Sequence, residues 1–383
     1  VPTKVLFFIA SLEQGGAERQ IAELVRGLDR TRFEAHVAVC NEADQLGYDL
    51  PFASKTPLGA PMGPEPRTLP RLIALLRRLR PALLHSYLGH QNVYGRLAVK
   101  LSGVGKALGS VRCTRLSAQY IRHERLTHRL TDGLIVNSAG IRDELVARAH
   151  LRPERIDVVE NGVDGVRFRP LDDQERARER ARFGLDGTAL VVPGRISEQK
   201  NQIAIVRALA ALRRRGALPR DVTVHLAGRQ EASTRYGTFL RAAIALYGLG
   251  DVVRFQGVVR DVERLVGAAD AVLLPSRYEG LPNAVLEAMA AGTPVIVSPA
   301  ANADALVRTP PRSRPGARAG REGIALDGDD PAAIADGLER FFATAPTDRT
   351  KMGQVGRAHV EERFTVEKMV RRTEAVYDRI LGS

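Results

Sequence analysis

S-R-Y-E-G-L-P-N-A-V-L-E-A-M-A-A-G-T-P-V, residues Ser276 to Val295, links one apolar run, Ala271–Leu274, to another, Pro294–Ser298, through a short helical pattern at Asn283–Ala290. A helix between two buried strands is the unit from which parallel sheets are built. Pro282 suits a first helical position, which places the helix start near Leu281 to Asn283. Glu279 then stands in the loop before the helix, within Glu279-Gly280-Leu281, and Glu287 about a turn and a half inside it. The N–H groups of Asn283 and Ala284 point back into that loop and form an anion site. A carboxylate beside an anion site suits a ligand that carries both phosphates and hydroxyls. Either glutamate alone would read by default as a surface charge.

The same alternation extends in both directions. Strands are expected at Lys4–Ala10, Phe33–Cys40, Ala82–His85, Ala107–Arg112, Gly133–Asn137 and Ile156–Val159. A second series follows at Ala189–Pro193, Val222–Ala227, Val252–Phe255, Ala271–Leu274, Pro294–Ser298 and Gly323–Leu326. Helical periodicity occupies segments such as Ala17–Leu28, Leu69–Leu79 and Ile203–Arg215. Two sets of six strands predict two doubly wound α/β domains, with the break in Gly162–Asp173. Leu46–Thr68 reads as a loop with room for one short strand, and Thr309–Gly320 as a surface loop. The last helix, Thr365–Leu381, carries an apolar stripe that must dock.

Length and composition agree with this. A chain of 383 residues with 44% hydrophobic and 26% charged residues is an ordinary two-domain globular protein. No apolar run approaches the ~20 residues of a membrane span, and Lys4–Ala10 reads as a strand rather than a signal peptide. Cys40 and Cys113 suggest no disulfide framework and fit a reducing cytoplasm. The net charge of +13 raises nucleic acid as a partner, but with no tryptophan and 5% aromatics stacking platforms are scarce, so nucleic acid is not expected. An anionic membrane surface fits better, because Arg71, Arg77 and Arg78 accompany the leucines of Leu69–Leu79 and Arg115 to Arg129 forms a basic helical stretch.

Three further places carry chemistry. Ser11–Glu18, S-L-E-Q-G-G-A-E, follows the first strand, and Gly15 and Gly16 let the backbone come close to a ligand. Gly194–Asn201, G-R-I-S-E-Q-K-N, follows the first strand of the second series, at the carboxyl end where open sheets bind ligands. There Arg195 can fork onto phosphate oxygens and Lys200 adds a point charge, enough to neutralise a diphosphate without a metal. His85 and His90 lie in L-L-H-S-Y-L-G-H, with His85 the more structural of the two. The lone D-x-D, Asp327–Asp329, leads into Asp330-Pro331 and reads as a helix cap, and no histidine spacing suggests a metal. A glycosidase pairing of Glu279 with Glu287 would leave the anion site without a use.

Taken in order, G-G-A-E at Gly15–Glu18, H-S-x-x-x-H at His85–His90, V-E-N-G-V-D at Val159–Asp164, the G-R…K-N loop, F-Q-G at Phe255–Gly257 and the E-x₇-E stretch resemble family 4 of the retaining glycosyltransferases. The resemblance implies the GT-B fold: two Rossmann-like, doubly wound α/β domains facing each other across a cleft. An N-terminal acceptor domain would span 1–168, a C-terminal donor domain 169–364, and a helix at 365–383 would cross back onto the first domain. It implies a nucleoside-diphosphate sugar, with UDP the expected carrier, as substrate and no cofactor or metal. Arg195 and Lys200 would hold the diphosphate, Glu287 the ribose, Glu279 the donor sugar, and Gly257 to Val259 would lie near the base. Gly16 would let the first domain approach the donor. The histidine usual near the anomeric carbon is missing, since S-V-R-C-T-R stands there, leaving His90 or Arg112 as substitutes and His90, Arg112 and Arg115 facing the acceptor. The acceptor expected is a saccharide or lipid-linked saccharide at the inner membrane. A nucleotide-sugar epimerase and a non-catalytic binding protein are the alternatives.

Overall fold

The computed structural model describes every residue except Gln14, 42–49, 60–64, Arg115, 231–234, 311–315 and Ser383. Its chain forms two compact units, one of residues 1–162 with 366–383 and one of residues 163–365.

The first unit holds strands β1 (Thr3–Ile9), β2 (Phe33–Val39), β3 (Ser54–Pro57), β4 (Leu83–Tyr87), β5 (Lys106–Val111), β6 (Gly133–Val136) and β7 (Ile156–Val158). Helices α1 (Gly16–Gly27), α2 (Thr68–Leu79), α3 (Gly89–Ser102), α4 (Ala118–Thr127) and α5 (Ala139–Ala149) connect them. The sheet order is β3-β2-β1-β4-β5-β6-β7, with every pair parallel. Val5 to Ile9 are at most 1% exposed, as expected of a strand covered on both faces. β3 escapes a hydrophobicity reading because S-K-T-P is polar; it is an edge strand, and Pro57 at its end needs no ladder donor.

The second unit contains β8 (Thr188–Pro193), β9 (Val222–Ala227), β10 (Val253–Gly257), β11 (Ala271–Leu274), β12 (Val295–Val297), β13 (Arg318–Ala319) and β14 (Gly323–Ala325). Its helices are α6 (Asp173–Phe183), α7 (Gln202–Arg214), α8 (Tyr236–Leu246), α9 (Val262–Ala268), α10 (Asn283–Ala290), α11 (Pro331–Ala343) and α12 (Pro346–Arg363). The order β10-β9-β8-β11-β12-β14-β13 is parallel except for the two-residue edge strand β13, too short to leave a sequence signal. Successive residues of β8 feed opposite cores. Val191 joins the cluster that includes α10, and Leu190 and Val192 join the one beneath α7.

The final helix, α13 (Val366–Leu381), belongs to the first unit. Met369, Val370, Val376 and Tyr377 are buried in the same cluster as Ile21 and Leu24 of α1. A Cβ on Gly27 would lie 2.6 Å from Val370 Cγ2, so α1 and α13 cross where no side chain fits. Arg32 pairs with Asp378 at 2.5 Å, and Glu374 accepts from the Asp29 amide at 2.9 Å.

In each sheet the first strand is central and the winding reverses beside it, between β1 and β4 and between β8 and β11. Ligands of open α/β sheets settle at the carboxyl ends of the strands flanking such a reversal. The loops that follow those four strands carry the residues singled out by sequence.

Candidate active site

In the second unit, β8 ends at Pro193 and Gly194 turns the chain at φ 130°, a backbone conformation costly for any side chain. A Cβ there would sit 2.9 Å from Lys200 Cε. The turn then winds back, with the Lys200 amide donating to Ser197 O at 3.1 Å and Asn201 in the left-handed region at φ 60° before α7 starts. Three bonds sew this loop to the one after β11. Gln199 Nε2 donates to Tyr278 O (3.0 Å), the Arg277 amide donates to Gln199 O (2.9 Å), and Asn201 Nδ2 donates to Pro275 O (3.3 Å). Asn201 Nδ2 also reaches Asp329 O at 2.6 Å.

Across that seam Lys200 Nζ lies 2.7 Å from Glu279 Oε1, and the two side chains are 15% and 11% exposed. The surface-charge reading of the glutamates fails here: Glu279 is 9% and Glu287 6% exposed. Glu287 sits in α10 among Val285, Leu286, Ala288 and Met289, all in the apolar cluster. Carboxylates so placed must be partnered to stay charged. Arg195 is exposed, with Nη2 3.5 Å from Gln199 Oε1.

Helix α10 runs over Asn283–Ala290, as the pattern predicts, with Pro282 just outside it rather than at its first position. The proline is the N-cap (φ −75°, ψ 114°) and Asn283 is the first helical residue, because an extended ψ at Pro282 carries the chain in from the Glu279 loop. Proline has no side chain able to cap, and no side-chain cap bond forms. Gly280 and Leu281 are buried at the base of this loop, while Asn283 and Ala284 are half-buried. Gly257 (φ 66°) and Val259 stand at the end of β10, two strands from β8.

In the first unit, α1 starts at Gly16 with Gly15 as its N-cap. A Cβ on Gly15 would lie 2.1 Å from Glu18 Oε2, so a side chain there would have to displace this carboxylate. Gln20 exchanges two bonds with Gly162, its Nε2 donating to the carbonyl and its Oε1 accepting from the amide, both at 2.9 Å. This joins the G-G-A-E and V-E-N-G-V-D segments. Arg112 follows β5, donates from Nη1 to Asn161 Oδ1 (2.7 Å), and lies 5.3 Å from the Tyr87 ring centre. Burial pulls its pKa down, partly offset by the nearby Tyr87 and Glu18. Arg115 lies outside the described residues.

His85 is held in the core. Its Nδ1 is 2.7 Å from Tyr377 Oη and its Nε2 2.8 Å from Ser110 Oγ, and burial with the Arg112 charge drives its pKa well below the usual value. The structural reading of His85 is correct. His90 is different: half-buried in the first turn of α3, its ring centre is 6.4 Å from that of His123 on α4. Leu88, just before α3, holds φ 71° and ψ 168°, a region nearly reserved for glycine. Behind these rings Arg96 Nη2 approaches Glu124 Oε2 at 2.8 Å with both side chains at most 1% exposed, out of line for a hydrogen bond. Arg96 Nη1 donates to Thr127 Oγ1 at 2.9 Å.

Three partners went unread in the sequence: Asn161, Gln199 and Asn201. Each fell within a quoted motif, and each acts through bonds to chain segments remote in sequence. Asp330 caps α11 by accepting from the amides of Ala332 and Ala333, and Asp327 accepts from the Gly316 amide at 3.1 Å. Among the described residues no three His, Cys, Asp or Glu side chains gather as a metal-ligand cluster. None of the described helices is long and apolar enough to cross a membrane. The leucines of α2 face inward, with Leu72, Leu75 and Leu76 buried, and Arg71 donates to Gly59 O at 2.7 Å.

Comparison with known proteins follows the same division. The family model Glycosyltransferase Family 4 matches residues 14–167, and the model Glycosyl transferases group 1 matches residues 187–344. The chain belongs to the family 4 glycosyltransferases. D-inositol 3-phosphate glycosyltransferase of Streptomyces scabiei is 35% identical to this family member over 240 residues, 61% of this chain and 51% of the relative. Mannosylfructose-phosphate synthase of Agrobacterium fabrum is 32% identical over 184 residues, 46% of this chain and 40% of the relative. The chain spans about half the length of the curated relatives it matches. The crystal structure of Anabaena HepE in complex with UDP and glucose superposes with a TM-score of 0.82 at 20% identity, over 98% of this chain and 100% of that one. Sucrose-phosphate synthase from Thermosynechococcus elongatus gives 0.78 at 20%, over 99% of each chain. At these identities the likeness is one of fold, and the fold is GT-B, built from two Rossmann-like sheets.

Proposed function

We propose that this family 4 member moves a hexosyl group from a nucleoside-diphosphate sugar to an acceptor hydroxyl, with retention and without a metal. The observation that carries the reading is the Lys200–Glu279 pair, 2.7 Å apart at the sheet reversal and beside the start of α10. Lys200 offers ammonium donors and Arg195 a planar fork to the departing diphosphate, and the α10 terminus adds its partial positive charge. Charge that develops on the leaving group meets donors already in place, so little reorganisation is needed during the reaction. Glu279 accepts from the sugar hydroxyls and Glu287 from those of the ribose.

Uridine is the base assigned, in keeping with the UDP and UDP-glucose of the Anabaena HepE complexes, with Gly257 and Val259 beside it. The acceptor is assigned to the N-terminal unit, near His90 and Arg112, and its class is a saccharide or lipid-linked saccharide at the cytoplasmic face of an anionic membrane. The basic chain, at +13, supports that location.

A thermal-shift panel of UDP, GDP, ADP and their sugars tests the donor directly. Stabilisation by UDP and a UDP-sugar above the other nucleotides is expected, and none by any of them would defeat the reading. Arg195→Ala should then lower turnover by ~10²-fold or more, on the scale of a lost oxyanion donor. Near-wild-type turnover would remove Arg195 from its role.

A further inference from the structure

Helix α8 carries an apolar stripe at the surface, beside an exposed Thr238 and Arg241. Its sequence, Y-G-T-F-L-R-A-A-I-A-L, has Arg241 as its one charged residue. Leu240 and Ile244 are buried in the core, which satisfies the inner face. Part of the outer face is apolar as well and uncovered by the described residues: Phe239 is 60% exposed, Leu246 79% and Tyr247 41%, and Ala242 between them is also exposed. Phe239, Ala242 and Leu246 stand three and four residues apart, so they share one stripe. A surface helix of a globular domain normally carries a polar outer stripe.

The stripe has a cationic frame. Arg213, at the end of α7, reaches the carbonyl of Gly248 in the turn after α8, which brings the basic end of α7 against Leu246 and Tyr247. Arg214 beside it is exposed, and Arg215 is half-exposed in a pair with Glu339. Within α8, Arg241 lies 4.1 Å from the Phe255 ring centre, its charge kept at the surface. Asp251, which pairs with Arg213, and Glu339 offset only part of this charge.

We infer that α8 and the end of α7 form the surface by which this protein lies on an anionic lipid bilayer, with Phe239, Leu246 and Tyr247 entering the headgroup–acyl boundary. Apolar side chains ringed by arginines are what such an interface selects. A second copy of the chain fits less well. Two identical faces would set arginine against arginine, and a helix of eleven residues, about 16 Å long, offers far less than the ~800 Å² per partner of a stable interface. The inference builds on the membrane part of the proposed function, and its test uses no sugar donor, so either can fail alone.

The protein has no tryptophan, so Phe239→Trp creates a single emitting reporter. With phosphatidylcholine vesicles containing about one third phosphatidylglycerol, its emission should move to the blue and be quenched by brominated acyl chains. With phosphatidylcholine alone it should stay near the value in buffer. In flotation, wild type should rise with the anionic vesicles, and Phe239→Ser/Leu246→Ser should lower its partition roughly ten- to hundredfold, from the apolar area withdrawn. Arg214→Glu should lower it by fivefold or more, an effect that salt erases. Val166→Ser, an exposed valine remote in sequence from α8 and from both basic stretches of the first unit, should bind as wild type and so reports the specificity of the surface. The inference is overturned if wild type shows no preference for anionic vesicles, or if the double variant floats as well as wild type while keeping its melting temperature. It is equally overturned if sedimentation shows a dimer that the double variant disperses.

Discussion

Two buried ion pairs among the described residues, one in each unit, are placed to opposite ends. Arg96 and Glu124 in the N-terminal unit are sealed between α3 and α4, with at most 1% of either side chain exposed. Lys200 and Glu279 stand at the sheet reversal of the C-terminal unit with 15% and 11% exposed, on loops rather than helices. A pair closed off from solvent can only hold its helices, because no ligand can reach either charge. A pair at the carboxyl end of a sheet can trade its internal contact for a phosphate or a hydroxyl. Burial alone therefore does not distinguish the two pairs; position at a topological reversal does.

The strongest way to break this contrast is kinetic. Lys200→Ala should lower turnover ~10²- to 10³-fold at a stability cost of about 1–3 kcal/mol. Initial rates and a denaturation curve on the same sample would separate the two effects. Glu124→Ala should invert the pattern, costing about 3–5 kcal/mol by stranding Arg96. The double replacement Arg96→Met/Glu124→Leu should recover most of that loss in urea unfolding. A variant of Glu124 that folds normally but loses donor affinity would erase the distinction between the pairs.

A second test uses pH. His225 on β9 accepts from Gln256 Nε2 at Nδ1 (2.8 Å) and lies 3.0 Å from Thr223 Oγ1 at Nε2, and burial lowers its pKa to about 4. The unfolded chain takes up a proton near pH 6.5 that the folded chain refuses until about pH 4. Stability is therefore complete above pH 6.5 and falls as the pH drops toward 4, by up to ~3 kcal/mol. His225→Gln should flatten that acid limb in a series of melts. His85 shifts in the same direction, so its removal should flatten what remains in the N-terminal unit.

The smallest effects come from the backbone. Leu88 and Asn201 both hold positive φ after a strand at a reversal, but Asn201 ties its amide to Pro275 O and Asp329 O. Leu88→Gly should change stability by less than ~1 kcal/mol, relief of strain being offset by the lost packing of a half-buried leucine. Asn201→Gly should lower it by about 1–2 kcal/mol through lost bonds. Equal shifts of the two midpoints in thermal unfolding would show that conformation, not bonding, governs both turns.

Twelve of the strands were legible because a parallel strand covered on both faces is written as an unbroken apolar run. The G-R…K-N loop and the two glutamates stood out as motifs, and the structure brings Lys200 of that loop to Glu279. β3 was legible only as room for one short strand within Leu46–Thr68, and β13 not at all, because an edge strand needs hydrogen bonds more than apolar side chains, and those bonds depend on a partner strand. Pro282 stands just outside α10 rather than at its first position for a similar reason. Proline fixes only its own φ, and the incoming loop decides ψ.

Sequence by itself determined the winding, the loops that carry charge, and the residue types available at their tips. Tertiary structure alone decided which charges face each other: that Lys200 meets Glu279, that Glu287 is buried, that Arg112 is committed to Asn161, and that α8 is left with an uncovered apolar face. The reason is physical. Periodicity and propensity act over a few residues, whereas burial and pairing are set by where distant segments come to rest, and the free energy of a charge depends on that surrounding more than on its neighbours in the chain.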